Sequence, residues 1–418
     1  MAELITPAAT VPTATPPAGA TMSQRLMSID ALRGFDMFWI IGADALVGAL
    51  HRMSKNPVTS LLGTQLEHCE WQGIRFYDLI FPLFVFIMGV SVVFSLTRMI
   101  QQEGRATAIK RVIRRGVLLF VVGLFYSGGF STIWPDIRLM GVLNRIALCY
   151  FFGGLIFCLV PLRGMIALAA GLLVGYWALM SFMPFPDVRP EPGGNGIISK
   201  AAGYTNVAQL NMASTTMIHG TFLHGVNLAN YVDQKYLPGR KYDGTFDPEG
   251  LLSTLPAVVT CLLGIFAGLL LKSTDFCPKW KVLYLLSFGV AGILLGFLWG
   301  IQFPVIKKIW TSSYVLVAGG FSAIALGIFY QIVDVWKYQK WCQPFVWMGM
   351  NSLTVYLASN IIGGFRILAR RLVGGDVSAF FDTHLAQGMG DMVTAVTGLL
   401  LAFWFVYFLY RRKIFLRL

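Results

Sequence analysis

The chain alternates between long apolar segments and shorter stretches that carry most of its charged residues. A helix needs about 20 consecutive apolar residues to cross the hydrocarbon core of a membrane. Ten segments meet this length, which predicts an all-α fold, a polytopic membrane helical bundle. A shorter amphipathic stretch near 374–386 is expected at the membrane interface. The predicted spans are roughly 29–50, 74–98, 108–128, 141–161, 164–183, 251–271, 280–301, 313–336, 345–366 and 389–411.

Composition supports the membrane class. Hydrophobic residues make up 56% of the 418 positions and charged residues only 13%, whereas soluble domains carry about 25% charged residues. The net charge is +13, but its basic residues cluster between apolar segments. That pattern indicates membrane topology rather than nucleic-acid binding. The six cysteines are scattered without metal-binding spacing, so neither a disulfide framework nor a metal site is predicted.

Four basic stretches fix a predicted orientation. They fall on one side of the membrane if both termini are cytoplasmic, as the positive-inside rule requires. The loop with His68 and the long connection 184–250 then lie outside, where the connection is expected to form a cap or a substrate-binding loop. Residues 1–24, rich in Pro, Ala and Thr, are predicted to be a disordered cytoplasmic tail, and 25–418 to be one membrane domain. The basic stretches contain Arg98, Arg105, Lys110, Arg111, Arg114, Arg115, Lys272, Lys279, Lys281, Lys337, Lys340, Arg411, Arg412, Lys413 and Arg417.

The first predicted span carries three charged residues on one calculated face. At 100° per residue, Asp30, Arg33 and Asp44 form a polar stripe. Asp30 and Arg33 lie near the cytoplasmic end and are expected to form a structural ion pair. Asp44 lies deeper without a cation one turn away, so it needs a partner from another helix, a water-filled cavity or a proton.

The second span begins with the strongest candidate for chemistry. His68 precedes the apolar run, and Asp78 falls in its first turns. A carboxylate bonded to one ring nitrogen fixes the tautomer of the imidazole and makes the other nitrogen more basic. The alternative is an ordinary interfacial histidine beside Trp71.

Further polar residues are candidates for ligand contact. Arg145 in the fourth span either snorkels outward or holds an anionic group. Asn351 and Ser352 follow Gly349 and are the best ligand-facing pair of the ninth span, although such groups also link helices. Three arginines of the third span either only set the orientation in the membrane or also bind nucleotide phosphates or anionic lipid headgroups. They are Arg111, Arg114 and Arg115.

The outer segment before the sixth span offers substrate contacts. Asp247 and Pro248 read as a helix start with Asp247 as its cap. Glu249 has no such structural reason and is a candidate for a substrate amine or hydroxyl. Asp247 and Asn227, which lies in the same outer connection, are further substrate candidates.

The seventh span carries a face of small residues, namely Gly289, Gly292, Gly296 and Gly300. Such a face suits close helix contact within the bundle, with a dimer interface as the alternative.

Six ordered motifs resemble the heparan-alpha-glucosaminide N-acetyltransferase family, and the bacterial NagX-like members in particular. The resemblance runs from about residue 25 to the C-terminal Arg-Arg-Lys-Ile-Phe. It implies a transmembrane acyltransferase fold of about 10–11 spans. The motifs are Arg25–Gly34, His68-x-x-Trp71-x-Gly73, Asp78–Gly89, Gly141–Arg145, Asp247–Gly250 and Gly349–Ser352.

The resemblance also implies an activity. The family passes acetyl from cytosolic acetyl-CoA to an amino sugar of the glucosamine type on the far side of the membrane. His68 would be a covalent acetyl carrier or a general base, oriented by Asp78. Asp44, where lysosomal members have asparagine, would pair with the imidazolium or take the amine proton.

The remaining roles complete this hypothesis. Coenzyme A would bind a set of basic and polar side chains. The protein would lie in a bacterial inner membrane, with lipid and a second copy of the chain as partners. No metal is expected. The donor-binding candidates are Arg111, Arg114, Arg115, Arg145, Asn351 and Ser352.

Two other functions fit the same residues. A secondary transporter of a sugar or wall precursor would also place polar groups on several spans. An O-acetyltransferase acting on a surface glycan would use the same donor.

Overall fold

The computed structural model describes residues 26–53, 56–131, 133–189, 214–361 and 364–416, so the predicted tail 1–24 lies outside the described residues. Within those ranges the fold is a helical bundle, which confirms the predicted all-α polytopic class. The described strands are two short segments, β1 (Phe185–Pro186) and β2 (Met217–Ile218), which pair antiparallel.

Seven helical segments of the described chain are long and apolar enough to cross a membrane, and each overlaps a predicted span. One of them joins a 3-10 turn (Phe76–Leu79) to α4, and another continues α11 through a π-helical turn (Tyr330–Val335). The helices are α4 (Ile80–Glu103), α6 (Val142–Leu159), α7 (Leu162–Phe182), α9 (Thr254–Lys272), α10 (Pro278–Trp299), α11 (Ser312–Phe329) and α16 (Met389–Arg411).

The other three predicted spans are also helical but differ from a plain apolar rod. The first is α1 (Met27–Phe38) and α2 (Asp44–Met53), joined by a π-helical turn in which Gly42 has φ 147°. The third, α5 (Arg105–Tyr126), carries five basic residues in its first half. The ninth is interrupted at Asn351, between α12 (Gln343–Met350) and α13 (Ser352–Ile361).

Four shorter helices lie outside the predicted spans, and one of them matches the amphipathic stretch near 374–386. They are α3 (Pro57–Gln65), α8 (Leu228–Tyr236), α14 (Phe365–Val373) and α15 (Asp376–His384). Two 3-10 turns, Gly129–Ser131 and Trp134–Asp136, precede α6.

Helices α1 and α12 cross at two glycines. A Cβ on Gly34 would lie 1.7 Å from the carbonyl oxygen of Phe345, and a Cβ on Gly349 would lie 1.9 Å from that of Asp30. Only glycine permits this approach, because any side chain would overlap backbone. The crossing brings Arg33 next to the segment that begins α13.

Small residues of α10 face α11 of the same chain. A Cβ on Gly289 would lie 2.8 Å from the carbonyl oxygen of Gly320, and one on Gly296 would lie 2.8 Å from that of Ser313. Packing within the bundle therefore accounts for these glycines.

The described part of the long connection packs over one end of the bundle, here named the His68 end; the opposite end, where α5 begins, is the Arg105 end. Trp71 Nε1 donates to the carbonyl oxygen of Phe222 at 2.7 Å, which fastens the loop of His68 to this cap. The predicted capping role of Asp247 is wrong, because α9 begins at Thr254 with Ser253 before it.

Candidate active site

The loop before α4 folds around the carboxylate of Asp78. Asp78 Oδ2 accepts the backbone N–H groups of Cys69 and Arg75, each at 3.1 Å. The bond from Arg75 closes a capping box on the 3-10 turn, since Asp78 occupies its third position. One oxygen of the buried carboxylate therefore fixes the backbone on both sides of Trp71.

The second oxygen of Asp78 meets an imidazole and an ammonium group. Asp78 Oδ1 lies 2.9 Å from His68 Nδ1 and 3.2 Å from Lys307 Nζ. Lys307 Nζ is also 3.0 Å from His68 Nδ1, so the three groups touch one another. The side chain of Asp78 is 1% exposed and that of His68 is 54% exposed. Among the described residues His68 Nε2 has no hydrogen-bond partner, so this nitrogen is available at the surface.

Sequence reasoning missed Lys307. It belongs to the connection between α10 and α11, which is bound to the His68 loop by the bond from Gly73 N to the carbonyl oxygen of Val305 at 2.9 Å. Burial lowers the pKa of Lys307, while Asp78 and Glu249 oppose that effect. One signal was present, because a lysine pair in a predicted outer loop departs from the positive-inside rule.

A cavity with several polar groups in its lining lies between the helices below this group. It encloses about 240 Å³ between α1, α4, α5, α6 and α13. On α4 its lining runs from Phe81 to Ser95, about 21 Å at 1.5 Å per residue. Its wall is aromatic toward the His68 end and cationic toward the Arg105 end. The polar lining residues are Arg33, Ser91, Ser95, Arg115, Tyr150, Ser352 and Tyr356.

Two guanidinium groups face the cationic part of this cavity. Arg33 donates to Ser91 Oγ at 2.5 Å and lies 3.6 Å from Asp30 Oδ1. Arg115 lies 4.9 Å over the ring of Tyr150, and its Nε is buried without a partner among the described residues. An anionic group of a ligand would complete the hydrogen bonding of Arg115.

Only some of the predicted donor-binding residues line this cavity. Arg115 and Ser352 line the cavity, whereas Arg114 is exposed and Arg111 is outside the lining. Asn351 ends α12, donates to the carbonyl oxygen of Trp347 at 3.3 Å and is also outside the lining.

Arg145 neither snorkels outward nor faces the cavity. It is fully buried, lies 4.9 Å over the ring of Trp310, and donates to Ser253 Oγ and to the carbonyl oxygen of Gly250. The side chain therefore joins α6 to the segment before α9.

Asp44 does not continue the stripe of Asp30 and Arg33. The π-helical turn and Gly42 change the helical phase before α2, because a π-turn adds a residue to each turn. Asp44 lines a separate cavity of about 210 Å³ together with Arg366 of α14. It remains within electrostatic reach of His68.

A cluster of buried charges lies under the cap. Arg138 donates to both oxygens of Asp247 and to Glu249 Oε2, each at 2.7 Å. Burial, with a smaller contribution from Asp247, raises the pKa of Glu249 to about 7. Glu249 is in electrostatic reach of Lys307 and of Tyr356 on the cavity wall.

Two predicted substrate residues have structural partners instead. Asp247 accepts the N–H groups of Tyr242 and Glu249 in addition to its two bonds from Arg138. Asn227 is fully buried at the start of α8, where its Oδ1 accepts the N–H of Asn230 at 3.0 Å. Both side chains therefore form hydrogen bonds within the chain.

Comparison with known proteins finds similarity to an N-acetyltransferase family. The model of the family described as heparan-alpha-glucosaminide N-acetyltransferase, catalytic, matches residues 25–189. The human heparan-alpha-glucosaminide N-acetyltransferase is 26% identical over 441 aligned residues, which cover 95% of this chain and 60% of that protein. The mouse protein of the same name is 26% identical over 84% of this chain and 56% of its own length.

The chain is therefore similar to heparan-alpha-glucosaminide N-acetyltransferases over most of its length. It spans less than two thirds of the length of these two relatives. The matched range 25–189 contains His68, Asp78, Arg33 and Arg115. Lys307 comes from a later part of the chain, so the fold completes the group around His68.

The buried carboxylate of Asp233 gives this chain a testable pH dependence. Burial raises the pKa of Asp233 from 3.8 to about 7, although the N–H groups of Leu251 and Asp247 oppose the shift. The folded chain therefore binds a proton that the unfolded chain releases, and stability falls as pH rises between these two pKa values. The loss is at most about 4 kcal/mol for a shift of this size.

Asp233→Asn should remove part of this dependence. The variant should become more stable relative to the wild type as pH rises from about 5 to about 8, because the amide stays neutral. Thermal unfolding in detergent at both pH values measures the difference. Glu249 titrates in the same direction, so a residual slope is expected in the variant. A constant difference between the two proteins would contradict the prediction.

Proposed function

We propose that this chain is a member of that family, a transmembrane acetyltransferase that moves acetyl from acetyl-CoA at the Arg105 end to an amino sugar at the His68 end. The main observation in support is the half-exposed imidazole of His68, whose Nδ1 is 2.9 Å from a carboxylate that is 1% exposed. This arrangement leaves Nε2 free for proton or acyl transfer. The names of the human and mouse relatives support the reaction class.

The cavity supports a donor that enters from the Arg105 end. Arg33 and Arg115 suit the phosphates of coenzyme A, since guanidinium groups bind phosphate oxygens through charge-assisted hydrogen bonds. A volume of about 240 Å³ is below the range of about 300–1,000 Å³ that encloses a whole drug-sized ligand. The pantetheine arm is therefore the part that fits inside, with the thioester toward Phe81 and His68.

The basic residues at the Arg105 end support its assignment to the cytoplasm, because positive charge is retained on that side. The bacterial inner membrane is the proposed location. The exposed apolar side chains of α7 and α10 would then contact lipid.

His68 has two chemical routes to the same products. As a general base, Nε2 takes a proton from the acceptor amine while the amine nitrogen attacks the thioester carbonyl. As a carrier, Nε2 itself attacks the thioester, coenzyme A leaves as a thiolate, and the amine then displaces the imidazole. In both routes the C–S bond breaks, a C–N bond forms and the amine proton passes to the released thiol.

Glu249 is the proposed contact for the amino sugar. It is 8% exposed, is in electrostatic reach of Lys307 and of Tyr356 on the cavity wall, and accepts one bond from Arg138. A carboxylate there would accept a hydrogen bond from an acceptor hydroxyl or ammonium group. Asp44, within electrostatic reach of His68, would stabilise the imidazolium form.

The test is acetyl transfer by the purified full chain in proteoliposomes. Acetyl-CoA is supplied with a panel of amino sugars, and mass spectrometry detects the products. An acetylated product that resists hydroxylamine is an amide and supports N-transfer, whereas a sensitive product is an ester. Labelled acetyl retained on His68 without acceptor supports the carrier route. Sugar flux that needs no acyl donor, with no acetylated product, would replace the proposal by a transporter.

Arg115→Gln should weaken donor binding. We expect the KM for acetyl-CoA to rise about 10-fold, equivalent to about 1.4 kcal/mol, with little change in kcat. A phosphate contact remote from the thioester stabilises the bound substrate and the transition state equally. Steady-state kinetics with varied acetyl-CoA measure both constants.

Arg114→Gln is the matched control, because Arg114 is the exposed neighbour on the same helix. Its constants should equal those of the wild type. Equal effects in the two variants would attribute the change to surface charge rather than to the cavity.

A further inference from the structure

The contact between Lys307 and His68 has a chemical consequence. Lys307 Nζ lies 3.0 Å from His68 Nδ1 and 3.2 Å from Asp78 Oδ1. An Nδ1 without hydrogen would place a lone pair 2.9 Å from a carboxylate oxygen, which is repulsive. That lone pair would accept from Lys307 Nζ at 3.0 Å, but a hydrogen on Nδ1 forms a shorter, charge-assisted bond to the buried carboxylate, and Lys307 then donates to the shared oxygen. The geometry favours the tautomer with a free lone pair on Nε2.

Charge balance decides whether this imidazole stays neutral. Asp78 alone favours the imidazolium, because an opposite charge within hydrogen-bond distance stabilises the charged form. The ammonium of Lys307, at the same distance, disfavours it. Four other charged or titratable groups surround His68, and two of them pair with each other. They are Asp44 of α2, the ring of Tyr77 at 4.8 Å, Arg75, which donates to the His68 carbonyl oxygen at 3.2 Å, and Glu67, which pairs with Arg75 at 3.5 Å.

The position of Lys307 is built into the fold. Backbone pairing joins Gln72 to Ile306, and Tyr314 Oη donates to the carbonyl oxygen of Asp78 at 2.7 Å. Lys307 itself contacts Asp78 and is within electrostatic reach of Glu249 and of the like charge on Lys308. Lys308 instead pairs with Asp243 at 2.8 Å.

We propose that Lys307 is a positioning residue that counterbalances Asp78 and so keeps His68 neutral, with the lone pair of Nε2 available to the acyl donor or the acceptor amine. This role deepens the proposed function and rests on it for its effect on rate. The state of the imidazole can be measured without acetyl transfer.

Diethyl pyrocarbonate provides that measurement, since it acylates only an unprotonated imidazole nitrogen and His68 is 54% exposed. The extent of modification at His68 is followed against pH by peptide mass spectrometry in the full chain. Lys307→Met should move the midpoint upward by about one pH unit, the lower end of the effect of a charge at this distance. The acid limb of kcat/KM for acetyl transfer should move with it. Lys307→Arg should restore the wild-type midpoint, and Lys308→Met should leave it unchanged.

The outcomes separate the two hypotheses. A moved midpoint in a protein whose wild type transfers no acetyl would support the role of Lys307 and overturn the proposed function. Active variants whose midpoint equals that of the wild type would overturn the role of Lys307 alone. If Lys307→Met does not fold, Lys307→Gln, which keeps a donor but no charge, should give the same upward shift. A uniform loss of rate without a shift would show a purely structural lysine.

Discussion

Replacing His68 by alanine is expected to lower kcat/KM for acetyl transfer by about 10²–10⁴-fold, the range in which a positioned acid–base group contributes. The variant keeps the cavity and its cations but loses the nitrogen that faces the surface beside Asp78. Acetyl-CoA binding should change little, because the cavity lining does not include His68. Kinetics in proteoliposomes and calorimetric titration of the donor measure the two quantities.

His384→Ala is the control for this experiment. His384 is exposed on α15, stacks on Phe380 at 4.3 Å and does not line the described cavity. Its removal should leave the rate unchanged. Turnover of the His68 variant within tenfold of the wild type would rule out both the carrier and the base.

Asp78→Asn should lower kcat by about 10²–10⁴-fold through the tautomer of His68. The amide oxygen can accept the N–H groups of Cys69 and Arg75, as Oδ2 does now. The amide nitrogen then faces His68 and donates to Nδ1, which places the ring hydrogen on Nε2. The free lone pair would be lost although the loop keeps its backbone bonds.

Asp243→Asn is the matched control, because it breaks a comparable lysine–aspartate contact next to the site. Asp243 is 7% exposed and its Oδ2 binds Lys308 at 2.8 Å. Thermal unfolding of both variants separates stability from rate. Equal loss of rate in the two variants would indicate that Asp78 acts only through folding. A near-normal rate in Asp78→Asn would show that tautomer control is not needed.

Contacts close in sequence were predictable. His68 and Asp78 are ten positions apart, and the capping chemistry of a helix start favours a carboxylate there. The Asp30 and Arg33 contact follows from their spacing on one helix. The role of Arg33 in the cavity does not, because it depends on the crossing of α1 with α12 at Gly349.

Predictions that extended a helix through an irregular turn failed. The stripe from Arg33 to Asp44 assumed a constant 100° per residue, but Gly42 adopts φ 147° and the turn around it is π-helical. Arg145 illustrates a different limit. Its residue type and depth were compatible with a ligand site, and its buried contacts with Ser253 and Trp310 come from distant parts of the chain.

By itself the sequence determined the membrane class, the places of the helices and the pairing of neighbours on one turn, because hydrophobic length and helical period are local properties. Only the tertiary structure decided that Lys307, 239 positions from His68, touches it, and that Arg33 and Arg115 face one cavity. Contacts of this kind depend on how helices cross and which side chains fill the space between them. Those outcomes follow from packing of the whole bundle, which no single segment of the chain encodes.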